Sequence, residues 1–367
     1  MRVEDVKMGF YSDQILNIIS FDNVILCGKL SLPYGEKDVE KLVIYVNGSG
    51  ANTFDNKRPG FNYFDLFREQ FAKQGVAFFS YNTRGCKLGN NPPMYVDIDY
   101  KQYQTYLPLN SVEDLYYMIK SLKVVNRLNN CKVYLLGWSE GTVIATLFAK
   151  KYPALVNGLL LAGYVNQNMR DVLTWQNDGS SSMVWYRTYF ETDESGRINR
   201  QAYEADPNHV VASVLQGSSF DDIDINHDGF ISKEDLSVIV SNSLGYTLEK
   251  LLDVINTHDD DWLQKNYSRG LIPLTSNWFL QHFSLRSNSE VMPLLDLPIH
   301  IFHGTLDQNV DVMEVYKIDN VFKSIGKTNL VIHIFEKHNH DLNYGEYIIK
   351  KEIPEGIKAI FDCIADF

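Results

Sequence analysis

The strongest constraint in this chain is a rhythm. Short runs rich in β-branched and aromatic residues alternate with stretches whose apolar residues recur at helical spacing. Residues 41–47 (KLVIYVN), 76–81, 131–136 and 156–162 read as buried strands. Phe61, Phe64, Phe67 and Phe71 mark a helix over 61–74 that stops at Gly75. Ser111 with Asp114 resembles a capping box that opens a helix to Leu122, and 141–151 reads as a helix closed by Pro153. Residues 23–32 alternate and end at Pro33, as an antiparallel strand does. The rhythm returns with a strand at 298–302, a helix at 311–325, a strand at 330–335 and a helix over 344–365. Strands joined by helical crossovers lie parallel, with helices on both faces. The fold class is therefore α/β, with a doubly wound, mostly parallel sheet.

From Gly163 to about Pro293 the pattern is polar and irregular, with several amphipathic pieces. Roughly 130 residues is too long for a loop inside a compact domain. The stretch reads as a mainly helical cap insertion. The expected division is a core at 1–163, a cap at 164–293 and the rest of the core at 294–367.

Composition narrows the function classes. A net charge of −12 argues against a nucleic-acid partner or a polybasic membrane anchor. The longest strongly apolar run, 158–165, is far short of a membrane span. Cys27, Cys86, Cys131 and Cys363 are too few and too scattered for a disulfide scaffold. Residues 1–20 carry Glu4, Asp5 and Asp13 and no apolar core, so no secretion signal and a cytoplasmic location are expected.

Gly137-Trp138-Ser139-Glu140-Gly141 is a G-x-S-x-G pattern between a buried strand and a helix. Such a tight turn holds the serine hydroxyl clear of the backbone at a helix N-terminus, where the dipole favours developing negative charge. Side chains at Gly137 or Gly141 would strike the neighbouring strand and helix. Ser139 is the expected nucleophile.

With these residues in place, 23–163 and 297–367 resemble the α/β-hydrolase superfamily of serine hydrolases. The resemblance implies an α/β-hydrolase-type sheet and a triad in the chain order Ser, Asp or Glu, His. His303-Gly304-Thr305-Leu306-Asp307-Gln308-Asn309-Val310 is similar to the family's H-G-x-x-D-x-x-V segment, which implies Asp307 as the acid. Glu336-Lys337-His338-Asn339-His340-Asp341-Leu342 follows the last strand, where the family carries its base. His340 fits best, with His338 as the alternative. Gly48-Ser49-Gly50-Ala51 resembles the glycine-rich oxyanion loop, with Asn47 where many members have histidine. The oxyanion donors implied are the backbone N–H of Glu140 and that of Ser49 or Gly50. Tyr81-Asn82-Thr83-Arg84-Gly85 resembles a Y-D-x-R-G segment, with Arg84 expected to shape the oxyanion loop. Ser139, Asp307 and His340 each follow the carboxyl end of an expected parallel strand, where open α/β sheets place their ligands.

Residues 224–235 (DINHDGFISKED) match a twelve-residue EF-hand or dockerin-type loop, D-x-N-x-D-G-x-I-x-x-x-D. Asp224, Asn226, Asp228, Ser232 and Asp235 would offer side-chain oxygens and Phe230 its carbonyl, with Gly229 at the sharp turn. A structural Ca2+ is expected, and no cofactor for catalysis. Position twelve is aspartate, shorter than the usual glutamate. A single such loop is found, although EF-hands usually pair.

The leading expectation is a serine hydrolase of small or medium carboxylic esters. An amidase or peptidase with the same triad is the alternative, which the sequence does not separate; no propeller-like region precedes the hydrolase part, so an oligopeptidase-type enzyme is less expected. From another class comes a catalytically silent, calcium-dependent binding scaffold. The partner is a small-molecule acyl ester, with no nucleic acid and no membrane span. Trp175, Trp185, Tyr186, Tyr189, Phe190, Trp262, Trp278 and Phe279 are read mainly as the cap's own core, with a share left for an acyl pocket.

Overall fold

The computed structural model describes residues 9–367; residues 1–8, part of the segment read for a secretion signal, lie outside them. The chain divides into two compact units, and the division runs through two strands of the main sheet.

The first unit holds the chain up to Leu161 with Leu294–His300 and Ala359–Phe367. Its elements are β1 (Tyr11–Ile19), β2 (Ile25–Pro33), β3 (Lys41–Val46), α1 (Asp65–Lys73), β4 (Ala77–Tyr81), α2 (Pro108–Leu122), β5 (Lys132–Trp138), α3 (Glu140–Lys151) and β6 (Gly158–Ala162). β1 and β2 form an antiparallel pair, and β2 runs antiparallel to β4. β3 is parallel to both β4 and β5, with Val46 opposite Gly137. Val43, Ile44, Phe78, Phe79, Leu135 and Leu136 are fully buried, which is why these strands are continuous apolar runs rather than alternating ones. Phe67 and Phe71 of α1 pack on Phe78 at ring-centre distances of 6.0 and 5.6 Å.

Helix α2 begins at Pro108, not at Ser111. Proline lacks the N–H that a first-turn position leaves unused, and its fixed φ suits the helix. Ser111 lies inside the helix. Asp114, also on α2, meets Arg84 instead of serving a cap. Arg84 Nε and Nη2 reach the two carboxylate oxygens of Asp114 at 2.6 and 2.7 Å. Its Nη1 reaches Asp22 at 2.7 Å and Thr105 at 3.1 Å, and Ser20 donates to Asp114 at 2.5 Å. Arg84 thus ties the β1–β2 turn to α2. Its neighbours Asn82 and Thr83 are the ones that reach the loop after β3.

The second unit comprises Ala162–Pro293 and Ile301–Lys358. Residues read as a cap therefore cluster with the segments that carry Asp307 and His340. The stretch after β6 is helical but for one short antiparallel bridge. It includes α4 (Ser180–Tyr189), β7 (Ile198–Asn199), α5 (Arg200–Ala205), α6 (Phe220–Ile223), β8 (Phe230–Ile231) and α7 (Lys233–Leu244). Tyr186, Phe190, Ile198, Tyr203, Phe220, Ile223, Ile231 and Leu236 form one buried cluster, with Trp185 and Tyr189 packed against it. Trp278 and Phe279 are also buried. Asp259 caps the helix Asp260–Asn266 by accepting from Trp262 N–H at 3.0 Å.

Alternation resumes with β9 (Ile299–Gly304), α8 (Val312–Ser324), β10 (Leu330–Phe335) and α9 (Tyr344–Lys350). The helix expected over 344–365 is two helices, α9 and α10 (Glu355–Asp366). Lys351 takes a left-handed φ of +59°, and Pro354 cannot continue a helical ladder. The main sheet has eight strands in the order β1-β2-β4-β3-β5-β6-β9-β10 and is mostly parallel. Among the described residues no helix is long and apolar enough to cross a membrane.

Removing one partner of a buried ion pair leaves an uncompensated charge and costs about 3–5 kcal/mol. Arg84→Ala is therefore expected to lower the thermal midpoint strongly. Arg84→Ala/Asp114→Ala is expected to recover part of that loss in the same calorimetric scan, because the stranded carboxylate is gone.

Candidate active site

The strand-to-helix turn at Ser139 lies in the first unit. β5 ends at Trp138 and α3 begins at Glu140, so Ser139 alone makes the corner. Its φ of +54° is unusual for a residue with a side chain, and its hydroxyl does not cap the helix it precedes. Both flanking glycines are sterically required. A Cβ on Gly141 would run into the Val46 carbonyl of β3, and one on Gly137 would stand 2.5 Å from the Gly141 carbonyl oxygen.

The β3–β5 register sets the oxyanion loop beside this turn. Val46 pairs with Gly137, so Gly48 follows at the level of Ser139. A Cβ on Gly48 would lie 3.4 Å from Ser139 Cβ. The loop is held by neighbours with no mark in the sequence. Asn52 Nδ2 donates to the carbonyls of Gly48 at 3.0 Å and Gly50 at 3.2 Å. Thr83 Oγ1 donates to the Gly50 carbonyl at 3.0 Å, and Asn47 Nδ2 to the Tyr81 carbonyl at 3.0 Å. Arg84 does not take the loop-shaping role expected of it, because its guanidinium is committed to Asp114 and Asp22.

The segments carrying Asp307 and His340 lie together in the second unit. His340 Nδ1 donates to Asp307 Oδ2 at 2.8 Å. The other carboxylate oxygen, Oδ1, accepts the backbone N–H groups of Asn309 at 2.8 Å and Val310 at 3.0 Å. His338 instead turns its Nδ1 to the Glu336 carbonyl, 3.0 Å away. The loops are cross-tied: Leu306 N–H donates to the His338 carbonyl at 3.0 Å and Lys337 N–H to Thr305 Oγ1 at 2.8 Å. Gly304 permits this approach, since a Cβ there would strike the His338 carbonyl. Gly163, at φ +55°, backs the His340 ring, with a Cβ position 2.6 Å from Cε1.

Burial disfavours both charged forms of this pair, but each ion stabilises the other. Burial alone would lower His340; the Asp307 carboxylate overrides it and holds the imidazolium pKa above its usual value. Burial alone would raise Asp307; His340 holds it below the usual carboxylate value. His303 supports the same carboxylate. Tyr164 N–H donates to its Nδ1 at 3.1 Å, so its proton sits on Nε2, which faces the Val310 carbonyl at 3.1 Å and Asp307 Oδ2 at 3.4 Å. Burial keeps His303 neutral by lowering its pKa.

The loop 224–235 also lies in the second unit. Asp224 accepts the N–H groups of Asp228 at 3.2 Å and Gly229 at 3.1 Å. Asp235 accepts from Asn226 N–H at 3.1 Å and Ser232 N–H at 3.0 Å. Among the described residues no three His, Cys, Asp or Glu side chains are grouped as a metal site, so a cation here needs amide, hydroxyl and carbonyl oxygens too. Asp224 and Asp235 are only 3% and 1% exposed and form no ion pair among the described residues.

This loop has a partner that the sequence reading missed. Ile231, its eighth residue, pairs with Ile198 across the antiparallel β7–β8 bridge. Counted from that bridge, 191–202 fills the same twelve-residue frame. Gly196 and Gly229 both stand sixth, with φ of +75° and +87°. The partner frame has Asp193 third, Ser195 fifth and Ala202 last. Arg197 binds Asp193 at 2.9 Å and lies 3.9 Å from the Phe230 ring centre, so the partner frame carries its own cation. The sequence hides this frame because its first residue is Glu191 rather than aspartate and its last, Ala202, offers no side-chain oxygen.

A family model described as the alpha/beta hydrolase fold matches residues 41–333. No curated protein matches the chain. Among solved structures, a thermostable carboxyl esterase from Bacillus coagulans superposes with a TM-score of 0.54 at 16% identity, covering 96% of this chain and 98% of that one. An acylaminoacyl peptidase from Pyrococcus horikoshii gives 0.53 at 15% identity; the match covers 98% of this chain and 41% of the peptidase. The matched span takes in Ser139, Asp307 and the strands that position them, and by it the chain belongs to the alpha/beta hydrolase fold family.

Proposed function

We propose that this protein is a serine hydrolase of small or medium carboxylic esters, with Ser139 as nucleophile, His340 as base and Asp307 as acid. The observation that carries the reading is the 2.8 Å bond from His340 Nδ1 to a carboxylate already fixed by two backbone amides. That bond leaves Nε2 as the nitrogen that exchanges protons with Ser139. Ser139 Oγ attacks the acyl carbonyl carbon and passes its proton to Nε2. The Glu140 amide and one amide of the 49–50 segment hold the oxyanion. The alkoxide leaves with the proton from Nε2. Water, deprotonated by the same nitrogen, then attacks the acyl-enzyme; the bond to Ser139 Oγ breaks, Nε2 returns the proton to Oγ, and the carboxylic acid is released.

Ester over amide is favoured by the full-length superposition on a carboxyl esterase. Hydrolysis of a p-nitrophenyl ester series is expected in wild type and not in Ser139→Ala. A fluorophosphonate is expected to label Ser139 alone. Labelling with turnover of amides but not esters would transfer the reading to the amidase class, and no labelling of folded protein would sink the hydrolase reading.

The base must be neutral to act, and Asp307 raises the His340 pKa. kcat/KM is therefore expected to fall as pH drops through a value above the ordinary histidine pKa of about 6.5. Asp307→Asn is expected to move that limb to lower pH, because the imidazolium loses its counter-charge. It should also cut kcat by roughly three to four orders of magnitude. An acid limb that stays in place would disconnect the pair from the chemistry.

The same reading places one Ca2+ in the 224–235 loop, held by Asp224, Asn226, Asp228, Asp235 and the Phe230 carbonyl, with Ser232 at the position that is often water-mediated. The ion would supply the positive charge that two buried carboxylates lack. The partner frame takes none, since Ala202 stands where the last ligand belongs and Arg197 already neutralises Asp193. Calorimetric titration should give one site per chain and a higher melting midpoint in calcium than in chelator. Asp228→Ala should abolish both while fluorophosphonate labelling persists; identical melting curves for the wild type would remove calcium from the reading.

A further inference from the structure

Beside the Asp307–His340 pair, within the second unit, lies a third ionisable side chain that takes no part in the proton transfers. His303 is fully buried. A phenylalanine ring would fill such a place with no polar atom to satisfy. Instead, both imidazole nitrogens are committed to backbone groups from two different segments. Gly163 N–H donates to the Phe302 carbonyl at 3.1 Å. The next N–H along, that of Tyr164, is taken not by a carbonyl but by His303 Nδ1, also at 3.1 Å. A side chain thus carries the pairing one step beyond the strand. With a donor at Nδ1 the ring proton sits on Nε2, which donates to the Val310 carbonyl at 3.1 Å.

Each of those backbone groups adjoins one member of the pair. The Tyr164 N–H belongs to the peptide that joins it to Gly163, and Gly163 backs the base: a Cβ there would stand 2.6 Å from Cε1 and 2.9 Å from Nδ1 of His340. Val310, whose carbonyl His303 holds, gives its own N–H to Asp307 Oδ1 at 3.0 Å. One imidazole therefore fixes both the segment behind the base and the residue that grips the acid. Its Nε2 also lies 3.4 Å from Asp307 Oδ2, the oxygen that accepts from His340 at 2.8 Å. The charged and titratable groups acting on His303 are Asp307, His340 and Asp311, and burial outweighs them in keeping the ring neutral. Neutrality is what the arrangement needs, since an imidazolium would turn a second N–H against that of Tyr164.

We propose that His303 is a positioning residue for the acid–base pair: by bonding the Tyr164 N–H and the Val310 carbonyl at once, it sets the separation between the segment that backs His340 and the loop that grips Asp307. It exchanges no proton with substrate. Loss of its bonds is felt as a looser His340–Asp307 bond, and so as a weaker hold on the His340 imidazolium. This inference rests on the hydrolase reading, and its test separates the two.

His303→Phe keeps a ring and removes both bonds. His303→Asn keeps an acceptor for Tyr164 on a shorter side chain and gives up the reach to Val310. Both are expected to lower kcat on a p-nitrophenyl ester by about tenfold or more, since small misplacements at a reacting centre cost that much, with KM within about twofold. The second readout needs no turnover. In wild-type protein carrying 15N-labelled histidine, His303 is expected to stay the Nε2–H tautomer throughout a pH titration, and His340 to titrate above the ordinary histidine value of about 6.5. In both variants the His340 titration is expected to move down toward that value. Unchanged kcat, a loss confined to KM, a His303 proton on Nδ1, or a His340 titration that stays in place or moves up would overturn the role. A wild type that neither turns over esters nor labels at Ser139 would instead overturn the hydrolase reading and take this inference with it, even where the titrations behave as expected. If His303→Phe does not fold, His303→Asn decides the matter alone.

Discussion

Much of the first unit follows from one corner in the backbone. β5 must end and α3 must begin around a single residue, and that residue has a side chain at positive φ. The arrangement costs about 1–3 kcal/mol in local strain, tolerated only where surrounding structure over-determines it. The over-determination is visible here. Gly141 sits against the Val46 carbonyl, Gly137 against Gly141, and Gly48 against Ser139 itself. The parallel register of β3 and β5 makes these contacts simultaneous, so the 48–51 loop and Ser139 are aligned by the same hydrogen-bond ladder that builds the sheet.

The second unit solves a different problem, which is keeping a carboxylate ionised after burying it. Asp307 is 1% exposed. Two backbone amides satisfy one oxygen, and two histidines face the other in different roles. His303 is fixed as the neutral Nε2–H tautomer by a backbone donor at Nδ1. His340 is the partner free to gain charge, and the opposed shifts of His340 and Asp307 are two descriptions of one favourable interaction. A pair tuned in this way suits a base that becomes cationic during each turnover.

The paired loops within the helical stretch satisfy their acidic groups in two different ways. Two twelve-residue frames share a bridge at Ile198 and Ile231 and a common buried cluster. In one frame a guanidinium sits on Asp193; in the other, two buried carboxylates accept backbone N–H groups and, at Asp235, the Ser232 hydroxyl. The cluster beneath them includes Tyr186 and Phe190, with Trp185 and Tyr189 packed against it, so these four of the aromatic residues read mainly as core belong to it.

The sequence by itself determined the alternation of strands and helices, the strand-to-helix turn at Ser139 and the segments that end in Asp307 and His340. These are local properties: hydrophobic period, glycine spacing and chain order survive without knowledge of neighbours. Local signals also misled. Ser111 resembled a cap because the pattern of a capping box says nothing of Pro108 upstream, and the last helix ran through Pro354 in the periodicity although its backbone could not. What only the tertiary structure decided are pairings between distant residues. Among these are His340 rather than His338 on Asp307, Arg84 on Asp114 and Asp22, Ile198 on Ile231, and Tyr106 on Glu140. Each depends on which groups are desolvated together, and desolvation is a property of the packed interior that no run of neighbouring residues contains.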